Sequence, residues 1–220
     1  YAILSHTWNQ TAGEFTYDDW QNGPVDAMDP KCQKLIKFCS AAWENNRLRF
    51  GWIDTVCIDK KSSSELDESI RSMYKWYSNA AVCITYLAET GSLSDMKYDS
   101  WFTRGWTLQE LVAPKFIKFY NKHWERLVPF NNNDAEHYSV LQSIENATTI
   151  TSDELCHIHN APISRRMELA AKRRVTREED TAYSLMGIFG VSISTAYGEG
   201  ATRAFFRLLK EIFDSTEDVS

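Results

Sequence analysis

The sequence predicts an α/β fold in which helices wind a parallel β-sheet and a helical extension follows toward the C-terminus. Short apolar or aromatic segments alternate with amphipathic helical patterns over residues 1–130, the order expected of parallel strands joined by right-handed crossovers. Beyond residue 130 only helical patterns recur. We therefore expect an α/β core at residues 1–130 and a helical extension packed on it at residues 131–220, with a boundary at residues 131–134.

Four short segments are predicted to be the strands of this sheet. Each is rich in apolar, aromatic or β-branched residues and ends at polar ones, which suits a buried strand better than a helix. The third is a continuous apolar run, typical of a parallel sheet covered on both faces. The predicted strands lie at residues 1–5, 50–54, 81–87 and 116–120, with residues 124–128 as a further edge strand.

Apolar residues at helical spacing predict the helices, and capping residues mark where they begin. Asp29 and Pro30 suit the N-cap and first position of one helix. The serine run that begins at Ser62, followed by Glu65, resembles a capping box, and Pro114 ends a short helix. The predicted helices lie at residues 30–46, 62–78 and 107–112 in the core, and at 135–146, 164–173, 178–189 and 200–213 in the extension.

The composition disfavours several classes of partner. A net charge of −6 argues against a dedicated nucleic-acid surface. No apolar run approaches the roughly 20 residues that a membrane helix needs. Five scattered cysteines fit reduced core thiols and a cytoplasmic setting, and their spacing predicts no metal site. Since the chain begins without a Met or a leader, we expect a domain excised from a longer protein.

One basic cluster, Lys172-Arg173-Arg174, is an exception to the acidic composition. An acidic run, residues 178–180, follows it closely along the chain. This pairing favours a solvated helix end over a phosphate-binding patch.

Polar residues follow three of the predicted strands. In an open parallel sheet, ligands bind beyond the carboxyl ends of the strands, where loops converge and helices begin. We expect these polar residues to share one cleft. The candidates are Ser5, His6 and Trp8 after the first strand, Asp54, Asp59 and Lys60 after the second, and Arg104, Trp106 and Glu110 after the third.

Each candidate also has a structural interpretation. Ser5 suits a turn cap, His6 a hydrogen-bonded structural role, and Asp54 a cap for the loop that follows it. Tryptophans are often packing residues, and Glu110 suits an exposed position on a helix. A nucleophilic Cys57 paired with His6 is a further alternative, although nothing in the sequence sets their distance.

Several enzyme classes lack their motifs. The sequence contains no Gly-x-Ser-x-Gly nucleophile elbow, which argues against a serine hydrolase. It contains no Gly-rich loop followed by Lys-Ser or Lys-Thr, and no GxGxxG segment opens a helix. ATPase and dehydrogenase interpretations are therefore disfavoured.

Three segments resemble the signature blocks of the fungal heterokaryon-incompatibility (HET) domain. They are YAILSHTW at residues 1–8, WIDTVCIDK at residues 52–60 and RGWTLQEL at residues 104–111. Residues 176–189 and 197–200 are similar to segments downstream of those blocks, so the resemblance covers nearly the whole chain. It implies a death effector in fungal non-self recognition, commonly attached to a nucleotide-binding receptor in the same or a partner chain.

A second resemblance concerns chemistry. WTLQEL at residues 106–111 is similar to the Trp-Cys-x-x-Glu-Leu segment of TIR domains, with Thr107 where Cys is usual. It implies a TIR-like (flavodoxin-like) sheet, self-association, NAD as a substrate and not a cofactor, and Glu110 as the catalytic carboxylate. Trp8 or Trp106 would then stack on a ring, and Arg104 or Lys60 would meet the pyrophosphate.

Two other functions are compatible with the same residues. The domain could trigger cell death without catalysis, by oligomerising and recruiting partners through aromatic-rich loops. Alternatively, the cleft could sense a nucleotide by binding it without turnover. Release of nicotinamide from NAD, or its absence, distinguishes the enzyme from both.

Overall fold

The sheet consists of four parallel strands in the computed structural model, which describes residues 1–9, 11–129 and 132–215. The strands are β1 (Ala2–His6), β2 (Gly51–Trp52), β3 (Val82–Tyr86) and β4 (Ile117–Tyr120), in the order β2-β1-β3-β4. The strand order reverses at the centre, between β1 and β3. This arrangement places a crevice beyond the carboxyl ends of the two central strands.

Helices surround the sheet and make up most of the C-terminal half of the described chain. In chain order they are α1 (Tyr17–Asn22), α2 (Gln33–Asn46), α3 (Asp54–Cys57), α4 (Ser63–Asn79), α5 (Thr107–Val112), α6 (Tyr138–Thr148), α7 (Ser152–Cys156), α8 (Ile163–Ala171), α9 (Asp180–Tyr183), α10 (Met186–Phe189) and α11 (Ala201–Ser215). Short 3₁₀ turns occupy Pro30–Cys32, Met96–Tyr98, Ser100–Thr103, Asp134–Glu136 and Ile158–Asn160.

The two faces of the sheet belong to two hydrophobic clusters, because successive side chains of a strand point to opposite faces. On one face Leu4 packs with Phe38 and Ala42 of α2. On the other face Ile3 belongs to a larger cluster that includes residues of α4, α5 and the C-terminal helices, such as Leu208 of α11. The extension thus shares one core with the sheet, while the division at residue 130 remains a prediction.

Most predicted elements are confirmed to within a few residues. The strands predicted at residues 1–5, 81–87 and 116–120 correspond to β1, β3 and β4. The Asp29 side chain accepts the Lys31 N–H, and Ser62 caps α4 by accepting the Glu65 N–H. Hydrophobic periodicity and capping residues therefore located these elements correctly.

One strand prediction was too long, and another was wrong. The strand at residues 50–54 is reduced to Gly51–Trp52, because Asp54 begins α3. Residues 124–128 form no strand beyond an isolated antiparallel bridge between Tyr120 and Arg126. The reason is that Trp124 adopts a left-handed conformation with φ of 62°, which interrupts an extended backbone.

The helix predicted at residues 178–189 is two short helices, α9 and α10, and neither α1 nor α7 was predicted. A tertiary contact constrains this region. Gly187 of α10 lies so close to Tyr74 of α4 that a Cβ at position 187 would come within 2.1 Å of the Tyr74 Cβ. Such packing is not visible in the pattern of apolar residues along the chain.

The predicted boundary segment covers the free edge of β4. Residue 131 lies outside the described residues, but Asn133 Oδ1 accepts the Ile117 N–H at 3.1 Å and Asp134 Oδ2 accepts the Phe119 N–H at 2.8 Å. Asp134 is fully buried, and Arg126 Nη2 donates to its other carboxylate oxygen at 3.1 Å. These side chains occupy the N–H groups that an edge strand would otherwise leave open for pairing.

All five cysteines are free thiols, as predicted. Cys32 and Cys83 are buried, whereas Cys39, Cys57 and Cys156 are exposed, so the expectation of core positions is wrong for three of them. In the part of the chain that the structure describes, no helix has the length and apolar character needed to cross a membrane.

Candidate functional site

A cleft of about 250 Å³ opens beyond the carboxyl ends of the central strands. Its walls come from the segment after β1, from α3 and α4, from residues 104–110, and from the extension between α8 and α11. The cleft brings together seven of the nine predicted candidates. They are His6, Trp8, Asp54, Lys60, Arg104, Trp106 and Glu110.

The other two candidates lie elsewhere. Ser5 is fully buried behind the cleft, where it contacts Glu110. Asp59 is not part of the lining, and its carboxylate accepts the Lys61 N–H at 2.9 Å. Asp59 therefore closes the loop that leads into α4, in the manner of an Asx turn.

Glu110 is held on the inner wall of the cleft by residues of the sheet and of a 3₁₀ turn. It lies on α5 and is only 8% exposed. Ser5 Oγ donates to Glu110 Oε2 at 2.5 Å, and Trp101 Nε1 donates to Ser5 Oγ at 2.8 Å. Since Trp101 is fully buried, this chain of hydrogen bonds fixes the orientation of the carboxyl group.

The environment of Glu110 changes its protonation. Burial raises the pKa of Glu110 to about 8, although the hydrogen bond from Ser5 opposes the rise, and the negative charge of Asp54 adds to it. A carboxyl group with this pKa is mostly protonated at pH 7. A perturbed pKa in a cleft is characteristic of functional acids and bases.

Asp54 organises the opposite wall by accepting three hydrogen bonds. His6 Nε2 donates to Asp54 Oδ1 at 3.0 Å, while Trp8 Nε1 and Lys60 Nζ each donate to Oδ2 at 3.1 Å. Burial raises the pKa of Asp54, but the Lys60 ammonium and the hydrogen bond from His6 outweigh it and hold that pKa well below its usual range. Asp54 is therefore an ionised residue whose oxygens are already occupied by protein donors.

The tautomer of His6 follows from its partners. Lys34 Nζ lies 3.0 Å from His6 Nδ1, and an ammonium group can only donate, so Nδ1 accepts. The ring proton then resides on Nε2, which donates to Asp54. Lys34 also donates to the Thr7 carbonyl at 3.0 Å and pairs with Glu14. His6 thus connects α2 to the cleft wall and has no nitrogen left for a ligand.

Lys60 and Trp8 are similarly engaged with each other. The Lys60 ammonium lies 3.8 Å from the centroid of the Trp8 ring, a cation–π distance. Because Lys60 also pairs with Asp54, it is less available to an anionic ligand than its sequence position indicated. Trp8 is 41% exposed at the mouth of the cleft.

The third wall joins the segment after β3 to the extension. Trp106 Nε1 donates to Asp180 Oδ2 at 3.0 Å, and the Tyr197 hydroxyl donates to Asp180 Oδ1 at 2.8 Å. The Arg177 guanidinium lies 4.2 Å from the centroid of the Tyr197 ring. Asp180 therefore fixes the indole of Trp106 from a position 74 residues further along the chain.

Arg173 and Thr107 hold the backbone of the same segment. Arg173 Nη1 donates at 3.0 Å to the Arg104 carbonyl and at 3.0 Å to Thr107 Oγ1. Burial lowers the pKa of Arg173 to about 10, with the charge of Glu110 acting in the opposite direction. The Thr107 hydroxyl itself donates to the Trp101 carbonyl at 2.5 Å. A hydroxyl at position 107 thus has a structural role in this chain.

Gly105 allows the extension to approach this segment closely. Gly105 N donates to the Arg174 carbonyl at 2.8 Å, and a Cβ at position 105 would lie 2.4 Å from Val175 Cγ1. That separation is far below a van der Waals contact. The glycine between Arg104 and Trp106 is therefore required by packing against Val175.

Gly105→Ala is expected to lower the free energy of unfolding by roughly 1–3 kcal/mol, because it overpacks this contact. Urea denaturation measures the loss. The double variant Gly105→Ala/Val175→Ala should recover most of it, since the smaller side chain at position 175 makes room for the added methyl group. Equal stability of the single and double variants would contradict this explanation.

Sequence reasoning missed several residues of the cleft. Tyr77 of α4 lines the wall, and its hydroxyl donates to the Leu4 carbonyl at 3.0 Å. Asp180 and Tyr197, which belong to the downstream segments, also line the cleft, as does Arg174, which the sequence predicts at a solvated helix end. Asp180 and Tyr197 both lie in segments that resemble the HET domain. That resemblance was the one signal in the sequence that could have identified them as residues of the site.

The fold and the cleft define an α/β domain whose parallel sheet presents a charged, aromatic-lined cleft at its carboxyl edge. The family described as "Heterokaryon incompatibility protein (HET)" matches residues 1–98. The chain is also 39% identical over 229 residues to Vegetative incompatibility protein HET-E-1 of Podospora anserina, an alignment that covers 96% of this chain and 16% of that protein. The chain therefore belongs to the heterokaryon-incompatibility (HET) family.

This relationship is confined to one part of the longer relative, since the chain spans 16% of its length. The family match ends before Arg104, whereas the alignment with HET-E-1 extends over nearly all of the chain. No solved structure matches this chain.

Proposed function

We propose that this domain is a cell-death effector of fungal vegetative incompatibility that cleaves NAD to nicotinamide and ADP-ribose products after self-association. In this proposal Glu110 is the catalytic carboxylate. The domain acts in the cytoplasm, under the control of a nucleotide-binding receptor in the same or a partner chain. The similarity to Vegetative incompatibility protein HET-E-1 supports the role in incompatibility.

The observation that carries the proposal is the position of Glu110. Its carboxyl group is buried at the inner wall of the cleft, oriented by Ser5, and has a pKa of about 8. The strand order β2-β1-β3-β4 agrees with the first four strands of flavodoxin-like sheets, whose ligands bind where the order reverses. This agreement supports the proposed TIR-like sheet.

The reaction needs little beyond one carboxylate and a shaped cleft. The bond between the ribose C1 and the nicotinamide nitrogen breaks, and its electron pair leaves with neutral nicotinamide. The ribosyl centre is then oxocarbenium-like, and a water molecule adds its oxygen to C1 and releases one proton to the solvent. An ionised Glu110 would stabilise the positive ribosyl centre by a preorganised charge in a dry site.

The proposal is tested by measuring nicotinamide release from NAD by the protein when dispersed and when clustered through a fused oligomerising tag. We expect release only from the clustered protein. A clustered protein that binds NAD without releasing nicotinamide would overturn the enzymatic proposal and favour a nucleotide sensor.

The rate of nicotinamide release is expected to rise with pH. Because the pKa of Glu110 is about 8 in the free protein, kcat/KM should increase across pH 6 to 9 with a midpoint near 8. Asp54 contributes to the raised pKa, so Asp54→Asn should move the midpoint to lower pH. Rates measured at constant ionic strength would contradict this account if they were independent of pH across that range.

A non-catalytic signalling module is the alternative, and the exposed aromatic residues favour it. Trp20, Phe50, Tyr98, Tyr138 and Phe206 are each more than half exposed. Large exposed aromatic residues are enriched at protein interfaces. This alternative predicts that cell death in a fungal assay survives Glu110→Gln but is lost when these aromatic residues are replaced by serine.

A further inference from the structure

We infer that residues 174–177, in the middle of the segment between α8 and α9, bind the diphosphate of a nucleotide in the cleft through Arg174 and Arg177. The identity of the nucleotide rests on the proposed function. The phosphate contact itself rests on the placement and the charges of these residues.

The backbone of this segment is fixed against the segment after β3. Arg174 N donates to the Thr103 carbonyl at 2.7 Å, and the Arg174 carbonyl accepts the Gly105 N–H at 2.8 Å. Arg104 and Arg174 thereby form an isolated parallel bridge. The basic residue that the sequence assigned to a solvated helix end instead lines the same cleft as Glu110.

The charges of the cleft favour an anionic ligand, although the whole chain carries a net charge of −6. The cleft is lined by four cationic side chains, those of Lys60, Arg104, Arg174 and Arg177, and by three acidic side chains. One of those acids, Asp54, is already occupied by three donors from the protein, as described above. The cleft is therefore locally cationic within an acidic protein.

The two arginines differ from Lys60 in their availability. Lys60 is committed to Asp54 by an ion pair at 3.1 Å. Neither Arg174 nor Arg177 forms a salt bridge with a carboxylate of a described residue, and both are exposed. Arg177 lies over the ring of Tyr197, which orients its guanidinium plane beside the cleft. Guanidinium groups bind phosphate oxygens in pairs of parallel hydrogen bonds.

The segment also divides the cleft into two chemically different ends. Glu110 lies at the buried end, beside Ser5 and Tyr77, where a ribose would meet a carboxyl group. Arg174 and Arg177 are exposed residues of the extension, where a charged diphosphate would keep part of its hydration. A nucleotide that places its ribose at the first end would direct its phosphates toward the second.

Calorimetric titration with ADP-ribose tests this inference, because ADP-ribose carries the diphosphate but no bond to cleave. We expect Arg174→Ala/Arg177→Ala to weaken ADP-ribose binding at least about tenfold, the effect of losing a charge-assisted hydrogen bond. Lys172→Ala removes a positive charge from the same cluster without touching the cleft, and it should bind as wild type does. Nicotinamide riboside, which lacks a phosphate, should bind equally to all three proteins.

Arg174→Lys/Arg177→Lys keeps the charges but removes the guanidinium fork, so it should bind ADP-ribose with intermediate affinity. Inorganic pyrophosphate should compete with ADP-ribose on the wild-type protein. Three results would each overturn the inference: no saturable binding of ADP-ribose to wild type, equal affinity in the double alanine variant, or an equal loss in Lys172→Ala. If ADP-ribose binds as expected but NAD is not cleaved, the enzymatic proposal fails and the phosphate site stands.

Discussion

Glu110→Gln is expected to abolish nicotinamide release and, at alkaline pH, to make the protein more stable relative to wild type. The substitution keeps the shape of the side chain and an oxygen that can accept the Ser5 hydroxyl. It removes the negative charge that would stabilise the ribosyl cation. Loss of a single preorganised charge-stabilising group typically costs at least about 100-fold in kcat, and a loss of this size is expected here.

The stability effect follows from the raised pKa of Glu110. An unfolded Glu ionises near its ordinary pKa, whereas Glu110 in the folded protein stays protonated until about pH 8. The stabilisation that protonated Glu110 contributes is complete below the pKa of Glu in the unfolded chain. It is lost as the pH rises toward the pKa of Glu110 in the folded protein, by about 1.4 kcal/mol for each pH unit. Between pH 5 and pH 8 the variant should therefore gain on the order of 3–4 kcal/mol relative to wild type.

Urea denaturation of both proteins at pH 5 and pH 8 measures this difference. Glu154→Gln is a suitable control, because Glu154 lies outside the cleft lining. The hydrogen bonds that Arg165 donates to Glu154 lower the pKa of Glu154 to about 2. The stabilisation that ionised Glu154 contributes is present above its pKa in the unfolded chain and is lost only as the pH falls toward 2. The free energy of unfolding of the control should therefore differ from that of wild type by the same amount at pH 5 and pH 8. A Glu110→Gln difference that is the same at both pH values would contradict the buried, protonated state of Glu110.

Asp134→Ala is expected to lower the free energy of unfolding by roughly 3–5 kcal/mol. The side chain is fully buried, and its carboxylate accepts both the Phe119 N–H and a hydrogen bond from Arg126. Removing it leaves a backbone donor of edge strand β4 without its acceptor, and it takes away the carboxylate partner of a largely buried guanidinium.

Asp153→Ala provides the matched control, because the Asp153 side chain is 86% exposed and, among the described residues, forms an ion pair with His157 alone. It should change the stability by less than about 0.5 kcal/mol. Thermal unfolding of both variants would also show whether the exposed edge of β4 promotes aggregation. A loss of under about 1 kcal/mol in Asp134→Ala would mean that this segment does not secure the edge of the sheet.

The parts of the fold that follow local rules were predictable from the sequence. Apolar runs bounded by polar residues located β1, β3 and β4, and Ser62 marked the start of α4. The parallel arrangement then predicted that residues from the ends of separate strands would meet. Ser5 and Glu110, which are 105 positions apart, form a hydrogen bond for this reason.

Features that depend on tertiary packing were not predictable in this way. Trp124 adopts a left-handed backbone conformation although it is not a glycine, and the predicted edge strand at residues 124–128 therefore does not extend β4. Asp180 accepts a hydrogen bond from Trp106, but no shared pattern of apolar residues relates their two segments in the sequence. The acidic residues that follow Arg174 in the sequence favoured a solvated helix end, and this prediction was wrong. Backbone hydrogen bonds to Thr103 and Gly105 place Arg174 beside the cleft instead.

The hydrogen-bond partners of several candidate residues give them roles that differ from the predicted ones. Asp54, His6 and Lys60 were expected to contact a ligand, but they form a hydrogen-bonded group with one another. Their role is to shape a wall and to place a fixed negative charge near Glu110. Arg104, Trp106 and Glu110 remain the predicted residues with groups directed toward the cleft, joined there by Arg174 and Arg177.

A crystal structure of the Glu110→Gln variant soaked with NAD tests the central claim most directly. The account predicts an intact dinucleotide with its nicotinamide ribose beside the substituted side chain at position 110 and its diphosphate against Arg174 and Arg177. The same soak into crystals of the clustered wild-type protein should show ADP-ribose without nicotinamide. An empty cleft, or a dinucleotide whose ribose lies away from position 110, would contradict the assignment of this cleft as the catalytic site.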